Sequence, residues 1–212
     1  MSDTILLFDF GGVLVDLDKA RCIRAFDEIG FDVRPLLGTY VQAGILSALE
    51  RGEADVSAFC DGLRRLADRP ALTDAAIVHA WEQYLTGVPA DRLELLLRIR
   101  RHYPVSVLSN TNPVHWRLAE EGYFRYRGHA PADFFDKAFL SYELGVEKPD
   151  PRIFQAVVEG LQCRPEQLLF FDDSLVNCEA ARRCGLRARL APAGGRWMDY
   201  FDAEGRLRDA ED

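Results

Sequence analysis

Blocks of apolar residues alternate with helical stripes along the chain and predict a sheet of parallel strands. Short apolar runs of four or five residues are typical of strands that are buried on both faces. The predicted strands are 5–8, 105–108, 137–140, 168–171 and 186–190. Stripes with apolar residues three or four positions apart separate most of these runs and predict helices between them. This rhythm predicts an α/β fold in which helices flank a parallel sheet.

One long segment interrupts the alternation of strands and helices. After the first strand, helical stripes at 18–30, 41–49, 56–66 and 74–85 follow one another, separated by Gly and Pro residues. Because one predicted strand precedes this segment and the others follow it, we interpret it as an insert in a single core. We predict that residues 1–15 and 88–212 form the α/β core and that residues 16–87 form the helical insert. The polar tail from residue 192, with its scattered aromatic residues, either docks on the surface or frays.

Polar groups follow several predicted strands at the point where each strand ends. They are Asp9, Ser109, Asn110, Lys148 in a later loop, Asp172 and Asp173. The carboxyl ends of parallel strands lie at one edge of a sheet, where ligands bind in open α/β folds. We therefore expect these groups to converge on one crevice. Singly, each has an ordinary explanation as a turn residue, a helix cap or a solvated lysine, but those explanations do not account for the shared position.

The chemistry of these groups fits phosphoryl transfer. Three neighbouring carboxylates repel one another unless a cation lies among them. Oxygen ligands without histidine or cysteine suit Mg²⁺. A metal, a lysine and a hydroxyl group would clamp the oxygens of a phosphate monoester. Asp9 would then be free to attack phosphorus and form an aspartyl phosphate.

The same residues resemble the haloacid dehalogenase (HAD) superfamily of hydrolases over residues 5–190. Its four motifs are similar, in order, to residues 8–16, 108–110, 148–150 and 171–174 with Asn177. The resemblance implies a Rossmann-like core, and the insert resembles the type 1 helical cap of this superfamily. It also implies that Asp9 is the nucleophile, that Lys148 orients it and neutralises charge, and that Ser109, Asn110 and Lys148 hold the phosphoryl oxygens.

The resemblance further implies a Mg²⁺ site and exposes one departure from the superfamily. Asp9, Asp173 and the backbone carbonyl of Gly11 would be metal ligands, and Asp172 would support the metal directly or through water. Superfamily phosphatases usually have a second aspartate at the position of Gly11, which protonates the leaving group and then activates water. General acid–base catalysis typically contributes about 10²- to 10⁴-fold. A glucose-phosphate-type phosphatase subgroup is similar in having glycine at this position.

A substitute proton donor could come from the insert. Asp16, Glu50 and Glu53 are candidates because they are acidic and lie near the hinge or in the insert. Trp81 and Tyr84 are better explained as packing residues, although they and Arg51 could line the site. No role is assigned to any of the four histidines.

Two other functions remain open from the sequence. A 2-haloacid dehalogenase would also use Asp9 and lack the second aspartate, but such enzymes need no Mg²⁺ and do not usually carry the pair Asp172–Asp173. A phosphate-binding protein with an impaired site would explain Gly11. The retention of the nucleophile, the lysine and the acidic pair argues against that alternative.

Net charge and cysteine content limit the kinds of binding partner and of cellular compartment that we expect. The 212 residues have a net charge of -8, which argues against non-specific binding to nucleic acid or to an anionic membrane. Five cysteines without a C-x-x-C pair indicate thiols in a reducing compartment. Without a signal segment or a long apolar run, we expect a cytoplasmic monomer or homodimer that acts on a small phosphorylated metabolite.

Overall fold

A five-stranded parallel sheet forms the centre of the computed structural model, which describes residues 3–39 and 42–208. The strand order is β5-β4-β1-β6-β7, and the α/β prediction is confirmed. The sheet strands are β1 Ile5–Phe8, β4 Val105–Ser109, β5 Lys137–Leu140, β6 Leu168–Asp172 and β7 Arg187–Leu190. A separate two-stranded sheet consists of β2 Asp16–Leu17 and β3 Leu85–Gly87.

Ten α-helices are assigned within the described residues. They are α1 Lys19–Glu28, α2 Gly44–Glu50, α3 Val56–Ala67, α4 Asp74–Glu82, α5 Ala90–Ile99, α6 Pro113–Leu118, α7 Pro131–Phe134, α8 Ser141–Leu144, α9 Pro151–Leu161 and α10 Leu175–Arg183. A π-helical turn, Ala119–Tyr123, continues α6, and short 3₁₀ turns span Arg34–Leu36, Pro165–Gln167 and Arg196–Tyr200. The predicted helix 41–49 begins at Val41, outside the described residues. No described helix combines the length and apolarity that a membrane span requires.

The central strand is buried on both faces, which explains its continuous apolar run. Leu6 and Phe8 belong to one core cluster together with apolar residues of α5, whereas Leu7 belongs to a second cluster with residues of α9 and α10. All three side chains are fully buried. A strand covered by helices on both sides needs apolar residues at successive positions. The sheet is therefore a rigid base for the loops at its carboxyl edge.

Two short strands, β2 and β3, lie at the two ends of the predicted insert. These strands are antiparallel, with Asp16 opposite Gly87 and Leu17 opposite Leu85. The hydrophobic pattern did not predict them because strands of two and three residues are too short to show a period. Helix α4 ends at Glu82 rather than at the predicted residue 85, and the backbone amide of Asp18 donates to the carbonyl of Tyr84 at 2.9 Å. The division of the chain at residues 15/16 and 87/88 stays a prediction.

The segment after β7 docks on the core instead of fraying. Trp197 is 1% exposed, and its ring centroid lies 5.0 Å from that of Phe8. The indole Nε1 donates to the carbonyl of Val13 at 3.0 Å. Phe201 is also buried and packs against Phe171. This segment therefore supports the loop that carries the first motif.

Candidate active site

The register of the central strands brings the predicted site residues to one edge. Phe8 of β1 pairs with Val107 of β4 on one side and with Phe171 of β6 on the other. One residue further on, the amide of Asp9 donates to the carbonyl of Phe171 at 2.8 Å. Asp9 therefore lies beside Asp172, the last residue of β6, as parallel strand ends require.

Lys148 connects the two strand ends through its ammonium group. Its Nζ lies 2.7 Å from Asp9 Oδ1 and 2.7 Å from Asp172 Oδ2, and it also donates to the carbonyl of Leu108 at 3.2 Å. The side chain is 2% exposed. Burial lowers the pKa of Lys148, but the charges of Asp172 and Asp9 outweigh that effect and hold the pKa above its usual range. The lysine is therefore a permanent cation at this edge.

Three carboxyl groups lie close together beside Lys148. Asp9, Asp172 and Asp173 each offer an oxygen, and these oxygens lie within 4.8 Å of one another. Burial raises the pKa of Asp9 to about 8, with Asp172 and Asp173 adding to the effect and Lys148 opposing it. Burial, followed by the charge of Asp172, raises the pKa of Asp173 to about 6. The ionised cluster carries more negative charge than one lysine neutralises, and its all-oxygen donor set fits a divalent cation such as Mg²⁺.

The two adjacent aspartates of motif four have different environments. Asp172 is fully buried, and its oxygens accept hydrogen bonds from Lys148 Nζ, from the Ser174 amide at 2.8 Å and from Asn177 Nδ2 at 3.1 and 3.2 Å. Asp173 instead lines a cavity at the strand ends. Asp172 thus fixes the lysine, whereas Asp173 presents its carboxyl group to a ligand.

Motif two contributes a buried hydroxyl group and a structural amide. Ser109 ends β4 and is 1% exposed. The Asn110 side chain donates to the carbonyl of Lys148 at 2.9 Å and accepts from the Lys148 amide at 2.8 Å. These two bonds fasten the lysine loop to the end of β4. This positioning role of the Asn110 side chain was not predicted from the sequence.

The two glycines of motif one meet different steric limits. Gly12 has φ +81°, and a Cβ atom there would lie 2.5 Å from Asp173 Oδ2. Such a conformation and such a close approach require glycine. A Cβ atom on Gly11 would lie 3.5 Å from Leu17 Cδ1, an ordinary contact. Gly12 is therefore required by the position of Asp173, whereas the missing side chain at Gly11 is not required by packing.

Residues of both the predicted core and the predicted insert line the cavity at the strand ends. Its volume of about 80 Å³ exceeds the order of 10–15 Å³ that a single water occupies on this measure. The core contributes Asp9, Gly11, Asn110, Thr111, His115, Lys148, Asp173 and Asn177, among others. The insert contributes Leu17, Thr39, Gln42, Glu50, Tyr84 and Leu85.

The three candidate proton donors differ in burial and in their ion pairs. Glu50 lines the cavity and is 6% exposed. Asp16 is paired with Arg92 at 2.7 Å in the hinge sheet. Glu53 is 57% exposed and is paired with Arg51 at 2.7 Å.

His115 is a cavity residue that the sequence did not reveal. Its Nε2 lies 2.9 Å from the carbonyl of Trp81, and its Nδ1 lies 3.1 Å from the Asn112 side-chain nitrogen. Burial lowers the pKa of His115 to about 4, so the ring is neutral at physiological pH. The one local signal is that Asn112 caps α6 and accepts from the His115 amide. Trp81 is fully buried and stacks on this ring, as expected for a packing residue.

A family model and two relatives that cover most of this chain indicate its family. A family model described as haloacid dehalogenase-like hydrolase matches residues 4–185. The chain is 34% identical to the D-ribitol-5-phosphate phosphatase of Bacteroides thetaiotaomicron over 195 residues, which cover 91% of this chain and 93% of that protein. It is 29% identical to a phosphatase of Mycobacterium tuberculosis over 211 residues, covering 94% and 92% of the two chains.

Solved structures show the same architecture. A HAD family enzyme from B. thetaiotaomicron, in complex with magnesium and inorganic phosphate, superposes with a TM-score of 0.88 at 38% identity and covers 94% of this chain and 99% of its own. A predicted HAD-like hydrolase from Porphyromonas gingivalis gives 0.84 at 30% identity, covering 92% and 94%. An L-2-haloacid dehalogenase gives 0.62 at 20% identity, covering 92% and 86%, and this similarity shows a shared fold.

Proposed function

The chain belongs to the haloacid dehalogenase-like hydrolase family, and from this premise we infer that it is a Mg²⁺-dependent phosphatase of small phosphate monoesters. One observation carries this inference more than any other. Asp9 lies at the centre of a buried cluster in which Lys148 bridges it to Asp172 and Asp173 lies within metal-binding reach. Such a cluster provides a nucleophile, a fixed cation and an oxygen donor set for a metal in one place.

The contacts of Asp9 define how it would attack. The Phe10 amide and Lys148 Nζ both contact Asp9 Oδ1, each at 2.7 Å. Because two donors fix Oδ1, we assign the attack on phosphorus to Oδ2. The Asp9–phosphorus bond forms as the bond to the leaving oxygen breaks, and water then releases inorganic phosphate from the aspartyl phosphate.

The proposal gives each of the remaining site residues a role. Asp9, Asp173 and the Gly11 carbonyl would hold Mg²⁺, with Asp172 as a direct or water-mediated support, and the bound ion would neutralise charge on the phosphoryl group. Lys148 would hold the nucleophile and, with Ser109 and Asn110, would contact the phosphoryl oxygens.

The substrate class in this proposal is a sugar or polyol phosphate. The most extensive support is the 34% identity to a D-ribitol-5-phosphate phosphatase. In the proposal, residues 16–87 form the cap that covers the leaving group. The enzyme acts in the cytoplasm as a monomer or homodimer, and its five free cysteines are consistent with a reducing compartment.

A substrate panel tests this proposal. Purified protein is incubated with D-ribitol 5-phosphate, several aldose phosphates and p-nitrophenyl phosphate, with Mg²⁺ or with EDTA, and phosphate release is measured. We expect Mg²⁺-dependent turnover of at least one polyol or sugar phosphate. Chloride release from 2-chloropropionate would instead establish a dehalogenase, and binding of phosphate esters without turnover of any substrate would establish a binding protein.

A further inference from the structure

Gly11 leaves the proposed phosphatase without the proton donor that its chemistry requires. Departure of an alkoxide from a sugar phosphate needs a proton, and the subsequent attack of water needs a base. We propose that Glu50, contributed by the insert, fills both roles and is a further catalytic residue. This inference rests on the proposed phosphatase function.

The groups that line the cavity leave few alternatives. Among the residues that the structure describes, the carboxyl groups in the cavity lining are Asp9, Asp173 and Glu50. The first two serve as nucleophile and metal ligand in the proposed mechanism. His115 is neutral, and both of its ring nitrogens are engaged with Trp81 and Asn112.

The other ionisable groups of the cavity are poorer acids than Glu50. Burial, followed by the charge of Glu50, raises the pKa of the Tyr84 hydroxyl above its usual range. Lys148 is held between two carboxylates as a permanent cation. Glu50 is therefore the cavity carboxyl group without another assignment.

Contacts with the core hold Glu50 in place although it belongs to the insert. Ser141, the first residue of α8, donates its hydroxyl to the backbone carbonyl of Glu50 at 2.6 Å. The turn after Glu50 packs closely against the backbone of Tyr142. A Cβ atom on Gly52 would lie 2.1 Å from the carbonyl oxygen of Tyr142. The carboxyl group itself interacts with the side chain of Asn112. A proton donor needs such fixed geometry to act in the transition state.

The surroundings of Glu50 keep it protonated near neutral pH. Burial raises its pKa to about 8, and the neighbouring charge of Glu147 adds to the effect. Asn112 and Arg51 oppose the shift, and Tyr84 is a neutral neighbour. A carboxylic acid with a pKa near the working pH is well matched to proton transfer in both directions.

The proton balance closes over one catalytic cycle. As Asp9 forms its bond to phosphorus, the bond to the leaving oxygen breaks and that oxygen takes the proton of Glu50, which gives a neutral alcohol. The Glu50 carboxylate then takes a proton from the attacking water. The Asp9–phosphorus bond breaks, inorganic phosphate leaves, and Glu50 is protonated again.

Kinetics of Glu50→Gln on two esters test this role. D-ribitol 5-phosphate has a poor leaving group, whereas p-nitrophenolate departs without protonation. We expect the variant to lose about 10²- to 10⁴-fold in kcat/KM on the polyol ester. With p-nitrophenyl phosphate it should release about one equivalent of nitrophenolate in a burst, followed by slow turnover. If Glu50 had a purely structural role, Glu50→Gln would lower kcat/KM equally for both esters and would show no burst. That result would overturn the proposal.

Matched variants separate this inference from the phosphatase proposal. Glu53→Gln makes the same change at an exposed position of the insert. Its kcat/KM on each ester should stay within about twofold of the wild-type value. Gly11→Asp, combined with Glu50→Gln, should recover part of the polyol activity because the position accommodates a Cβ atom. A wild-type enzyme inactive on every ester of the substrate panel would contradict the phosphatase proposal. Full activity of Glu50→Gln in an active enzyme would contradict this inference alone.

A pH profile tests the role with Glu50 left in place. An acid catalyst loses activity as the pH rises through its pKa. Replacing Glu147 by Gln removes a negative charge that raises the pKa of Glu50. The alkaline limb of kcat/KM for D-ribitol 5-phosphate should therefore move to lower pH, and an unmoved limb would contradict the proposal.

Discussion

The core side and the insert side of the cavity are organised in different ways. On the core side, Lys148 bridges Asp9 and Asp172 with two contacts of 2.7 Å, and the β1–β6 ladder sets their spacing. On the insert side, Tyr84 lies in a stack of rings with Trp81 and the core residue His115, at centroid distances between 4.4 and 5.9 Å. Hydrogen bonds and ion pairs therefore define one side, whereas shape and aromatic packing define much of the other.

This difference separates the tasks of the two sides. Attack on phosphorus needs a nucleophile and cations at fixed positions, which a sheet edge buried on both faces can supply. Choice of leaving group needs a surface that differs between enzymes, and in the proposed function the insert supplies it. Glu50 is the exception on the insert side, because Ser141 of the core holds its backbone.

The largest expected effect is on the core side, at Asp9. Asp9→Asn keeps an oxygen that accepts from Phe10 and Lys148 but removes the proposed nucleophile. We expect phosphate release to fall by about 10³-fold or more, with an unchanged circular dichroism spectrum. Retention of most activity would falsify the covalent mechanism. The essential catalytic group would then have to be sought on the insert side of the cavity.

Replacement of Lys148 should affect both stability and activity. Lys148→Met keeps the buried stem and leaves Asp9 and Asp172 without their cation, which we expect to cost about 3–5 kcal/mol of unfolding free energy near pH 8. Loss of the cation raises the folded-state pKa of Asp9 further, because Lys148 opposes the effect of burial on this group. Stability is then retained at low pH and lost as the pH rises through that pKa, so the loss of unfolding free energy should be smaller near pH 5.

Denaturant unfolding at several pH values measures this deficit. Lys137→Met is the matched control, because Lys137 is exposed and donates to the carbonyl of Gly160 at 3.2 Å. It should change the unfolding free energy little at any pH. A Lys148 variant that resembled this control would show that the core side is not organised by its ion pairs.

Magnesium should stabilise the folded protein in a pH-dependent way. Without metal, the raised pKa values of Asp9, about 8, and Asp173, about 6, make these groups contribute stability at low pH that is lost as the pH rises. Mg²⁺ binds the deprotonated carboxylates, so its effect should be larger at pH 8 than at pH 6. At a concentration 100-fold above its Kd it should add about 2.7 kcal/mol.

Thermal melts with Mg²⁺ or EDTA measure this effect without a substrate. Asp173→Asn should abolish the difference between the two conditions. An equal shift at pH 6 and pH 8, or a shift that persists in Asp173→Asn, would mean that the metal binds elsewhere.

The sequence predicted the core better than the insert because the core signals are local. Runs such as 5–8 and 168–171 are apolar because helices cover both faces of these strands, and every strand of the main sheet was found within a residue or two. The hinge strands Asp16–Leu17 and Leu85–Gly87 were missed. They form through pairing across about 70 residues of chain, which leaves no period in either segment.

The same distinction holds for the site. The sequence predicted that Asp9, Lys148 and Asp172 lie close together because they occur at strand ends or in a later loop, and the topology brings such positions to one edge. From the sequence, Glu50, Asp16 and Glu53 were equally good candidates for the proton donor. The pairing of Asp16 with Arg92 and the exposure of Glu53 depend on tertiary packing, as does the position of His115 in the cavity.

The adjacent glycines of motif one give the smallest and most selective prediction. Gly12→Ala forces an alanine into φ +81° and places its Cβ 2.5 Å from Asp173 Oδ2, which we expect to cost about 1–3 kcal/mol. Because Asp173 must move, the stabilisation by Mg²⁺ should weaken as well. Gly11→Ala should change the unfolding free energy by less than about 1 kcal/mol and keep the Mg²⁺ effect, since its Cβ meets only the flexible end of Leu17. Equal responses of the two variants would show that Asp173 is not held by the close approach at Gly12. If only Gly12→Ala lowered stability and the Mg²⁺ effect, glycine would be required at position 12 and not at position 11. Position 11 could then carry either an acidic side chain or none.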